Sequence, residues 1–407
     1  MNIHIGIDWS HQKHDVVIAN EHGAVLSQLT IDHEAAGFAQ LDKHRASLGV
    51  EPTDCLVGIE SENNILLDFL QTHNYSQIYI VPPNLTAASR GRVSANKAHT
   101  DQSDGRLITE LLRTDRHRLQ LWQPLSLLMQ QIRHQVQWLH QQNQDILRQE
   151  NRLRNLLRRY YPAALNLFSE LTTQITLAFL VQYPNPQKAA ALTFETFATF
   201  TRKQHYTAPE SLPKQYARFQ QPVPQATPQT IFIYQEHGQL LAAELLRLVK
   251  QRIQSQRRLT KLFQQHADAP IFISFPGLGK WLAPALLSKF GDDRQRFPSP
   301  LSLQALAGTC PVTHSSGKRK RVVFRHACDK SFRHFTQQWA RCSLNESVWA
   351  NSYYQDFKSR GLSENDSYRR LANRWLAIAW KCWQTKTPYD ETYHWQQCSL
   401  RRKPPRR

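Results

Sequence analysis

Residues 3–30 read IHIGIDWSHQKHDVVIANEHGAVLSQLT, and the pattern of this stretch indicates how the N-terminal part of the chain begins to fold. Three apolar runs, at 3–7, 14–19 and 24–30, have the length and composition of β-strands. The segment Asn20–Gly23 supplies turn residues between the second and third runs. The stretch therefore predicts a strand followed by a β-hairpin.

Further along, predicted helices alternate with predicted strands. Helical patterns cover 34–48 and 64–71, and short apolar strands cover 55–59 and 77–81. Strands that alternate with helices indicate an α/β sheet. Three meandering strands followed by helix, strand, helix and strand resemble the order of a ribonuclease-H-like fold.

Length and composition bound the class of protein. The 407 residues, 41% of them hydrophobic, predict two or three domains with real cores. No apolar run reaches about 18 residues and no leader precedes the first strand, so we expect neither a membrane span nor a secretory signal, and a cytoplasmic protein. The six cysteines lie far apart without a C-x-x-C pair, which argues against a zinc ribbon and a disulfide scaffold.

The charge is divided unevenly along the chain. The net charge is +19; residues 1–120 contribute −5 and residues 121–407 contribute +24. Such an excess indicates a polyanionic partner, because neutralised phosphates release condensed counterions. We therefore expect nucleic acid as the partner, bound mostly by residues 121–407. The acidic residues of the N-terminal part are either metal ligands or an ordinary acidic surface.

A heptad pattern begins at Leu125 and predicts a long helix in a coiled coil or helical bundle. Asn143 stands in this seam, where it is suited to fix the register between identical helices. A second apolar helical pattern over 240–263 makes an antiparallel hairpin within one chain an equal alternative to a dimer seam. Between the two, 208–228 carries five prolines and predicts a loop or linker. The seam positions are Leu125, Met129, Ile132, Val136, Leu139, Asn143, Ile146, Glu150, Leu153 and Leu157.

Four carboxylates are candidates for a metal site. Asp8 and Glu60 each end a predicted strand, and parallel neighbours bring their carboxyl ends to one edge of a sheet. Asp101 and Asp104 are three residues apart, so they share one face of a helix that begins there. Such a cluster suits two Mg²⁺ ions acting on a phosphodiester. The alternatives are a strand-end turn for Asp8 and helix capping for Asp101 and Asp104, and Glu62 competes with Glu60.

The segment Phe275–Lys280 contains a Pro-Gly-Leu-Gly-Lys turn. A nucleotide-binding P-loop is excluded, because Ser274 stands where Gly is needed and Trp281 where Ser or Thr is needed. The turn is similar to the hairpin of helix-hairpin-helix modules, which predicts phosphate contacts by Gly277, Gly279 and Lys280. A plain turn is the alternative.

Two serines precede four consecutive cations. The run Ser315-Ser316-Gly317 is followed by Lys318, Arg319, Lys320 and Arg321. A serine hydroxyl beside fixed positive charge is suited to attack a phosphodiester, since the cations stabilise charge that develops on the phosphorus oxygens. A loop that only contacts phosphates, or a surface charge run, is the alternative. The tryptophans of 339–383 fit helical patterns and predict core rather than base-stacking positions.

The N-terminal motifs resemble those of the DEDD transposases of insertion sequences, the family that includes the Piv DNA invertase. The family's first Asp matches Asp8 and its Glu after an apolar strand matches Glu60. Its Lys-Thr-Asp-x-x-Asp-Ala signature matches residues 99–105, where His99 and Gly105 replace Lys and Ala.

The C-terminal motifs resemble the same family. Pro-Gly-x-Gly matches 276–279, a Gly-Asp-x-x-Arg-Phe-like stretch matches 291–297, Ala-Gly-x-x-Pro matches 307–311, and Ser-Gly-Lys matches 316–318. The chain departs from the family at 322–328, where Val-Val-Phe-Arg-His-Ala-Cys replaces a Gly-rich stretch.

The resemblance implies four parts. These are a RuvC-like domain over 1–120, a helical coiled-coil region over 121–268, a mainly helical transposase domain over 269–386 and a basic tail over 387–407. It also implies DNA as substrate, a structured non-coding bridge RNA as guide, and a homodimer that forms a tetramer on paired DNA. The expected location is the bacterial cytoplasm, at the nucleoid during recombination.

The resemblance further implies a composite active site. Ser316 would attack DNA to give a serine–DNA intermediate, because it directly precedes Gly as the family's serine does, while Ser315 stays an alternative. Mg²⁺, with Mn²⁺ as a substitute, would be held by Asp8, Glu60, Asp101 and Asp104. Two other functions stay open: a metal-dependent junction-resolving nuclease without a serine nucleophile, and a non-catalytic nucleic-acid-binding protein.

Overall fold

The chain divides into two units, Met1–Pro124 and Leu125–Arg407. No helix within the described residues is both long and apolar enough to span a bilayer. The computed structural model describes residues 3–60, 65–92, 101–219, 224–317 and 319–401.

The N-terminal unit is built on one mixed sheet, as the alternation of strands and helices predicted. The sheet has the order β3-β2-β1-β4-β5-β6. Strand β1 is antiparallel to β2 and parallel to β4, β4 is parallel to β5, and β6 is a short antiparallel edge. The strands are β1 Ile3–Trp9, β2 Lys13–Ala19, β3 Val25–Asp32, β4 Cys55–Ile59, β5 Gln77–Ile80 and β6 Gln120–Leu121; the helices are α1 Ala35–Ser47, α2 Ile65–Thr72, α3 Pro83–Ser89 and α4 Asp101–Thr114.

The two faces of this sheet are covered by different helices. Side chains alternate along a strand, so Ile3, Ile5 and Ile7 of β1 share one face. They are fully buried in a core that includes residues of α1 and α2. The opposite face, which carries Gly6, is covered by α4, whose Ile108 is also fully buried. Asp8 belongs to the face of β1 that α4 covers.

Among its described residues, the C-terminal unit consists of helices and one two-stranded hairpin joined by loops. Its elements are α5 Leu127–Tyr160, α6 Gln174–Gln182, α7 Pro186–Ala190, α8 Phe194–Lys203, α9 Leu212–Phe219, α10 Pro228–Gln264, α11 Ala269–Ile273, α12 Leu282–Phe290, α13 Pro300–Leu306, β7 Val312–Ser316, β8 Arg319–Val323, α14 Lys330–Ser343, α15 Val348–Ser359, α16 Glu364–Thr385 and α17 Glu391–Arg401.

The long helices α5 and α10 form an antiparallel pair within one chain. Near one end of the pair the Gln135 side-chain amide donates to the Ser255 carbonyl at 3.3 Å. At the other end Gly238 lies so close to Tyr160 that an added Cβ would be 2.1 Å from the phenol oxygen. The apolar seam of α5 therefore packs against α10 of the same chain. Asn143 is half-buried beside α10. Seven seam residues are buried: Met129, Ile132, Val136, Leu139, Ile146, Leu153 and Leu157.

The helix pair belongs to two cores. The first half of α5 and the end of α10 pack with α11–α16, whereas the second half of α5 packs with α6–α9. The proline-rich stretch 208–228, predicted as a linker, contains α9, whose Leu212 is buried. Pro213 lies in the first turn of α9 and Pro228 begins α10, positions where the missing N–H costs no helical hydrogen bond.

Tryptophans build the core of the C-terminal part, as their helical spacing predicted. The Trp339 and Trp375 rings stack at 5.2 Å and both are fully buried. Beyond Lys386 the chain is folded, because Tyr389 is buried and Glu391 accepts a hydrogen bond from Ser347 at 2.7 Å. The predicted basic tail is thus helical up to Arg401; residues 402–407 lie outside the described chain.

Candidate active site

Two candidate carboxylates lie at the carboxyl ends of the central parallel strands, Asp8 within the last two residues of β1 and Glu60 directly after β4. Strands β1 and β4 pair with Ile7 opposite Ile59. Asp8 and Glu60 are the next residues along each strand, so they lie at one edge of the sheet. Both are half-buried.

Two glycines allow α4 to lie directly over this edge. Gly6 and Gly58 precede the two acids by two positions and are opposite each other in the β1–β4 pair. A Cβ on Gly6 would lie 2.2 Å from Thr109 Oγ1 and 2.4 Å from the Gly105 carbonyl oxygen of α4. Since Asp8 and Glu60 share the face of these glycines, they lie on the α4 side of the sheet.

The first turn of α4 lies beside Asp8. A Cβ on Gly105 would be 3.1 Å from the carbonyl oxygen of Asp15, the residue paired with Asp8 across the β1–β2 ladder. Asp104 directly precedes Gly105, and Asp101 begins the helix. The side chains of Asp101 and Glu62 lie outside the described residues.

Several of these acids have polar partners. Glu60 accepts a hydrogen bond from the Thr86 hydroxyl at 2.7 Å. Asp104 pairs with the Arg90 guanidinium at 3.3 Å, and Asp15 accepts from the Thr30 hydroxyl at 2.6 Å. In the described part of the chain, which omits the Asp101 side chain, no three His, Cys, Asp or Glu residues are grouped as metal ligands.

A histidine pair supports the turn that follows Asp8, a feature the sequence did not reveal. The Ser10 amide donates to Nδ1 of His14, so Nε2 carries the proton and donates to His33 Nδ1 at 2.9 Å. Burial, together with His33, lowers the pKa of His14 to about 4. The fully buried His14 is therefore neutral at physiological pH.

The candidate nucleophiles lie on the β7–β8 hairpin. Ser316 is opposite Arg319, Ser315 is opposite Lys320, and His314 is opposite Arg321. Since neighbouring residues of a strand face opposite sides, Ser316 shares its face with Arg319 and Arg321, whereas Ser315 shares the other with Lys320. All of these side chains are exposed. Gly317 in the turn has φ +55°, and Lys318 lies outside the described residues.

The base of the hairpin is held by an arginine–aromatic clamp. The Phe324 ring, directly after β8, contacts the guanidinium groups of Arg333 and Arg369, at 4.5 and 5.0 Å from the ring centroid. Arg333 also donates to the Arg325 carbonyl, and Arg325 donates to the Cys310 carbonyl at 3.3 Å. These contacts attach an exposed hairpin to α14 and α16.

The Pro-Gly-Leu-Gly turn divides into a buried and an exposed part. The amide of Gly277 donates to the Glu346 carboxylate at 2.7 Å, and its φ of +77° and contact with the α14 backbone exclude any side chain. Gly277 is buried and its N–H is used within the protein, so the predicted phosphate contact does not suit it. Gly279 and Lys280 are exposed.

Comparison with known proteins gave two matches to family models and several similar proteins. A model described as "Transposase" matches residues 5–162, and one described as "Transposase IS116/IS110/IS902 family" matches residues 269–355. The mini-circle putative transposase for IS117 of Streptomyces coelicolor is 31% identical, over 96% of both chains. A 44.8 kDa protein of insertion element IS116 from Streptomyces clavuligerus is 23% identical, over 93% of this chain and 94% of its own.

Proposed function

Since the chain belongs to the IS116/IS110/IS902 family of insertion-sequence transposases, we propose that it cuts and rejoins DNA through a metal-and-serine site and takes its target from a guide RNA. The observation that carries the proposal is the placement of Asp8 and Glu60 on the α4-covered face of two neighbouring parallel strands, at the edge where α4 begins with Asp101.

The N-terminal unit is assigned to the ribonuclease-H-like class, and specifically to a RuvC-like domain. The support is its strand order, in which an antiparallel β1-β2-β3 meander is followed by parallel β4 and β5. The α5–α10 pair takes the place of the family's coiled-coil region, and residues from 269 onward form the transposase domain.

The donor set suits Mg²⁺. Asp8, Glu60, Asp101 and Asp104 supply only carboxylate oxygens, the ligands that hard divalent cations prefer. When bound, the ion would stabilise negative charge on the reacting phosphate. Thr86 orients Glu60 through its hydrogen bond, and Arg90 competes with the ion for Asp104.

Ser316 is the proposed nucleophile. Its oxygen forms a bond to the DNA phosphorus, one bond from phosphorus to a deoxyribose oxygen breaks, and that oxygen leaves as a hydroxyl that takes up the proton lost by the serine. Attack by a hydroxyl of another strand reverses the exchange and releases Ser316. Arg319 and Arg321 on the same face of the hairpin stabilise charge on the phosphate oxygens. One ester replaces another at each step, so the exchange needs no nucleotide hydrolysis.

Target choice is assigned to a structured non-coding RNA, and the working form to a dimer that becomes a tetramer when two duplexes are joined. The charge of +24 over residues 121–407 supports contact with nucleic-acid backbones, which carry no sequence information by themselves. Base pairing with a guide would supply that information.

The test is formation of the circular excision junction in cells that carry the element with its non-coding flank. Wild-type protein should give the junction, and Asp8→Ala and Ser316→Ala should not, while the adjacent Ser315→Ala is the matched control and should retain it. A labelled DNA strand should stay attached to wild-type protein in detergent but not to Ser316→Ala. Persistence of the junction with Ser316→Ala would assign the chemistry to Ser315 or to the metal-binding carboxylates alone, and its formation without the flank would remove the guide.

A further inference from the structure

A basic cleft opens between α5, α10 and the turn before α12. It has a volume of about 730 Å³, and no carboxylate lines it. Its cationic walls come from Arg252, Arg257 and Lys261 on α10 and from Lys280 on the turn. Trp281, Asn143 and the α10 residues Ile253, Gln256 and Thr260 complete the lining. The seam position of Asn143 is therefore turned toward this cleft.

The four cations are not neutralised by the protein. Across the parts of the chain that the structure describes, none of them forms an ion pair with a carboxylate, whereas Arg148 and Arg154 of α5 pair with Asp145 and Glu150. Like charges gathered without counter-charge cost free energy in the folded protein, and an anionic ligand would recover it. The cleft thus has the electrostatic character of an anion site.

The spacing of the cations fits a nucleic-acid strand. Arg252 and Lys261 lie at the two margins of the face of α10 that lines the cleft, with Arg257 beside Lys261. The nine-residue separation of Arg252 and Lys261 corresponds to about 13 Å along the helix. One strand of B-form DNA presents a phosphate about every 3.4 Å along its axis, so about four phosphates span that length. Lys280 is held beside α10, because Gln256 donates to its carbonyl at 2.8 Å.

The cleft and the serine hairpin are connected by packing contacts through α14. Trp281 in its wall packs edge-on against Phe335 of α14 at 5.5 Å. Two residues earlier on α14, Arg333 lies over Phe324 at the base of the hairpin. A strand held in the cleft therefore lies on the same framework as Ser316, which favours the DNA substrate over RNA as the occupant.

We infer that this cleft binds the phosphate backbone of the DNA whose exchange is assigned to Ser316. The inference deepens the proposed function and rests on it for the identity of the ligand. The cleft would position one duplex through Arg252, Arg257, Lys261 and Lys280 without reading its sequence, because phosphate contacts fix register and orientation but not base identity.

The test compares two triple variants of α10 with equal loss of charge. Arg252→Gln/Arg257→Gln/Lys261→Gln empties the cleft of three cations, and Arg247→Gln/Lys250→Gln/Arg258→Gln removes three exposed cations that do not line it. Binding of a fluorescein-labelled DNA duplex of mixed sequence is measured over a potassium chloride series. The cleft variant should bind at least about tenfold more weakly and lose about 2 to 3 from the slope of log affinity against log salt. The control should change much less.

Further variants and an RNA control separate the effect of the cleft from a general loss of charge. Lys280→Gln, an exposed change in a turn, should lower the salt slope by about 1, and Lys280→Arg should restore it. Equal effects of the two triple variants, or no effect of the cleft variant, would overturn the inference. Loss of affinity for an RNA duplex alone would assign the cleft to RNA instead. All of these variants retain Asp8 and Ser316. If the cleft substitutions leave DNA binding unchanged while the excision junction still forms, the inference about the cleft is wrong but the proposed function is not affected.

Discussion

Gly6 and Gly58 lie directly opposite each other on parallel β1 and β4, and α4 covers both. Each stands two residues before a candidate metal ligand. The Gly-Ile-acid pattern therefore occurs in both strands for a structural reason. The glycine leaves space for α4 to pack against the strand, and the acid two residues later lies at the end of the sheet where α4 begins.

The two glycines should differ in their tolerance of a methyl group. Gly6→Ala places Cβ against α4 backbone atoms at 2.4 and 2.5 Å, whereas the shortest contact of Gly58→Ala, at 2.9 Å, is with a side-chain methyl group of Ile108. Gly6→Ala should cost about 2–3 kcal/mol of unfolding free energy and Gly58→Ala about 1 kcal/mol. Urea unfolding of both variants measures this order, and a larger loss for Gly58→Ala would contradict the packing of α4.

Arg90→Gln should increase the apparent affinity for Mg²⁺. Its partly exposed ion pair with Asp104 is worth roughly 0.2–1 kcal/mol, so in a reaction with purified protein the Mg²⁺ concentration for half-maximal strand exchange should fall by a factor of about 1.4 to 5. Arg113→Gln, which removes a comparable pair with Glu110 elsewhere on α4, is the matched control. An activity lost at every Mg²⁺ concentration would mean that Arg90 contacts DNA.

Phe324→Ala should release the serine hairpin. The two guanidinium–aromatic contacts contribute about 0.5–1 kcal/mol each, which is large for a two-stranded hairpin and small for the whole unit. Formation of the serine–DNA adduct should fall about tenfold while the thermal midpoint falls by only a few degrees. Val322→Ala, at an exposed position on the same hairpin, is the control. An unchanged adduct yield would show that the clamp does not position Ser316.

Stability of the N-terminal unit should fall in mild acid because of His14. Its folded pKa of about 4 lies below the ordinary 6.5, so its stabilising effect is complete above pH 6.5 and is lost as the pH falls toward 4. Between pH 7.5 and pH 5 this one group accounts for about 2 kcal/mol. Denaturant unfolding of His14→Asn should show a pH dependence smaller by that amount, and exposed His22→Asn should retain the full dependence.

The sequence was sufficient for the N-terminal sheet and for the position of Asp8 and Glu60. Buried strands leave apolar runs, and a carboxylate directly after such a run is conspicuous. What remained hidden was the role of Gly6 and Gly58, because a close approach between helix and sheet depends on a pairing that spans about fifty residues. The hydrogen bond between His14 and His33 was also hidden, because it depends on how β2 pairs with β3.

The serine hairpin and the partner of the α5 seam could not be predicted. Strands β7 and β8 are exposed and carry serines and cations, so they have none of the apolar alternation that marks a strand. A heptad pattern predicts that a helix packs against another helix but does not identify that helix. The apolar pattern of α10 was compatible with both an intrachain hairpin and a dimer. The helix α9 was hidden by prolines that lie in the first turns of helices.

The length of the α5–α10 pair can be compared with the length of a DNA duplex. The 37 residues of α10 correspond to about 55 Å, which is the axial length of about 16 base pairs, or one and a half turns of duplex. The helices α6–α9 form a separate core at the far end of this pair. Lengthening or shortening α5 and α10 by the same number of turns would therefore change the distance between the α6–α9 core and the serine hairpin without altering the packing within either core.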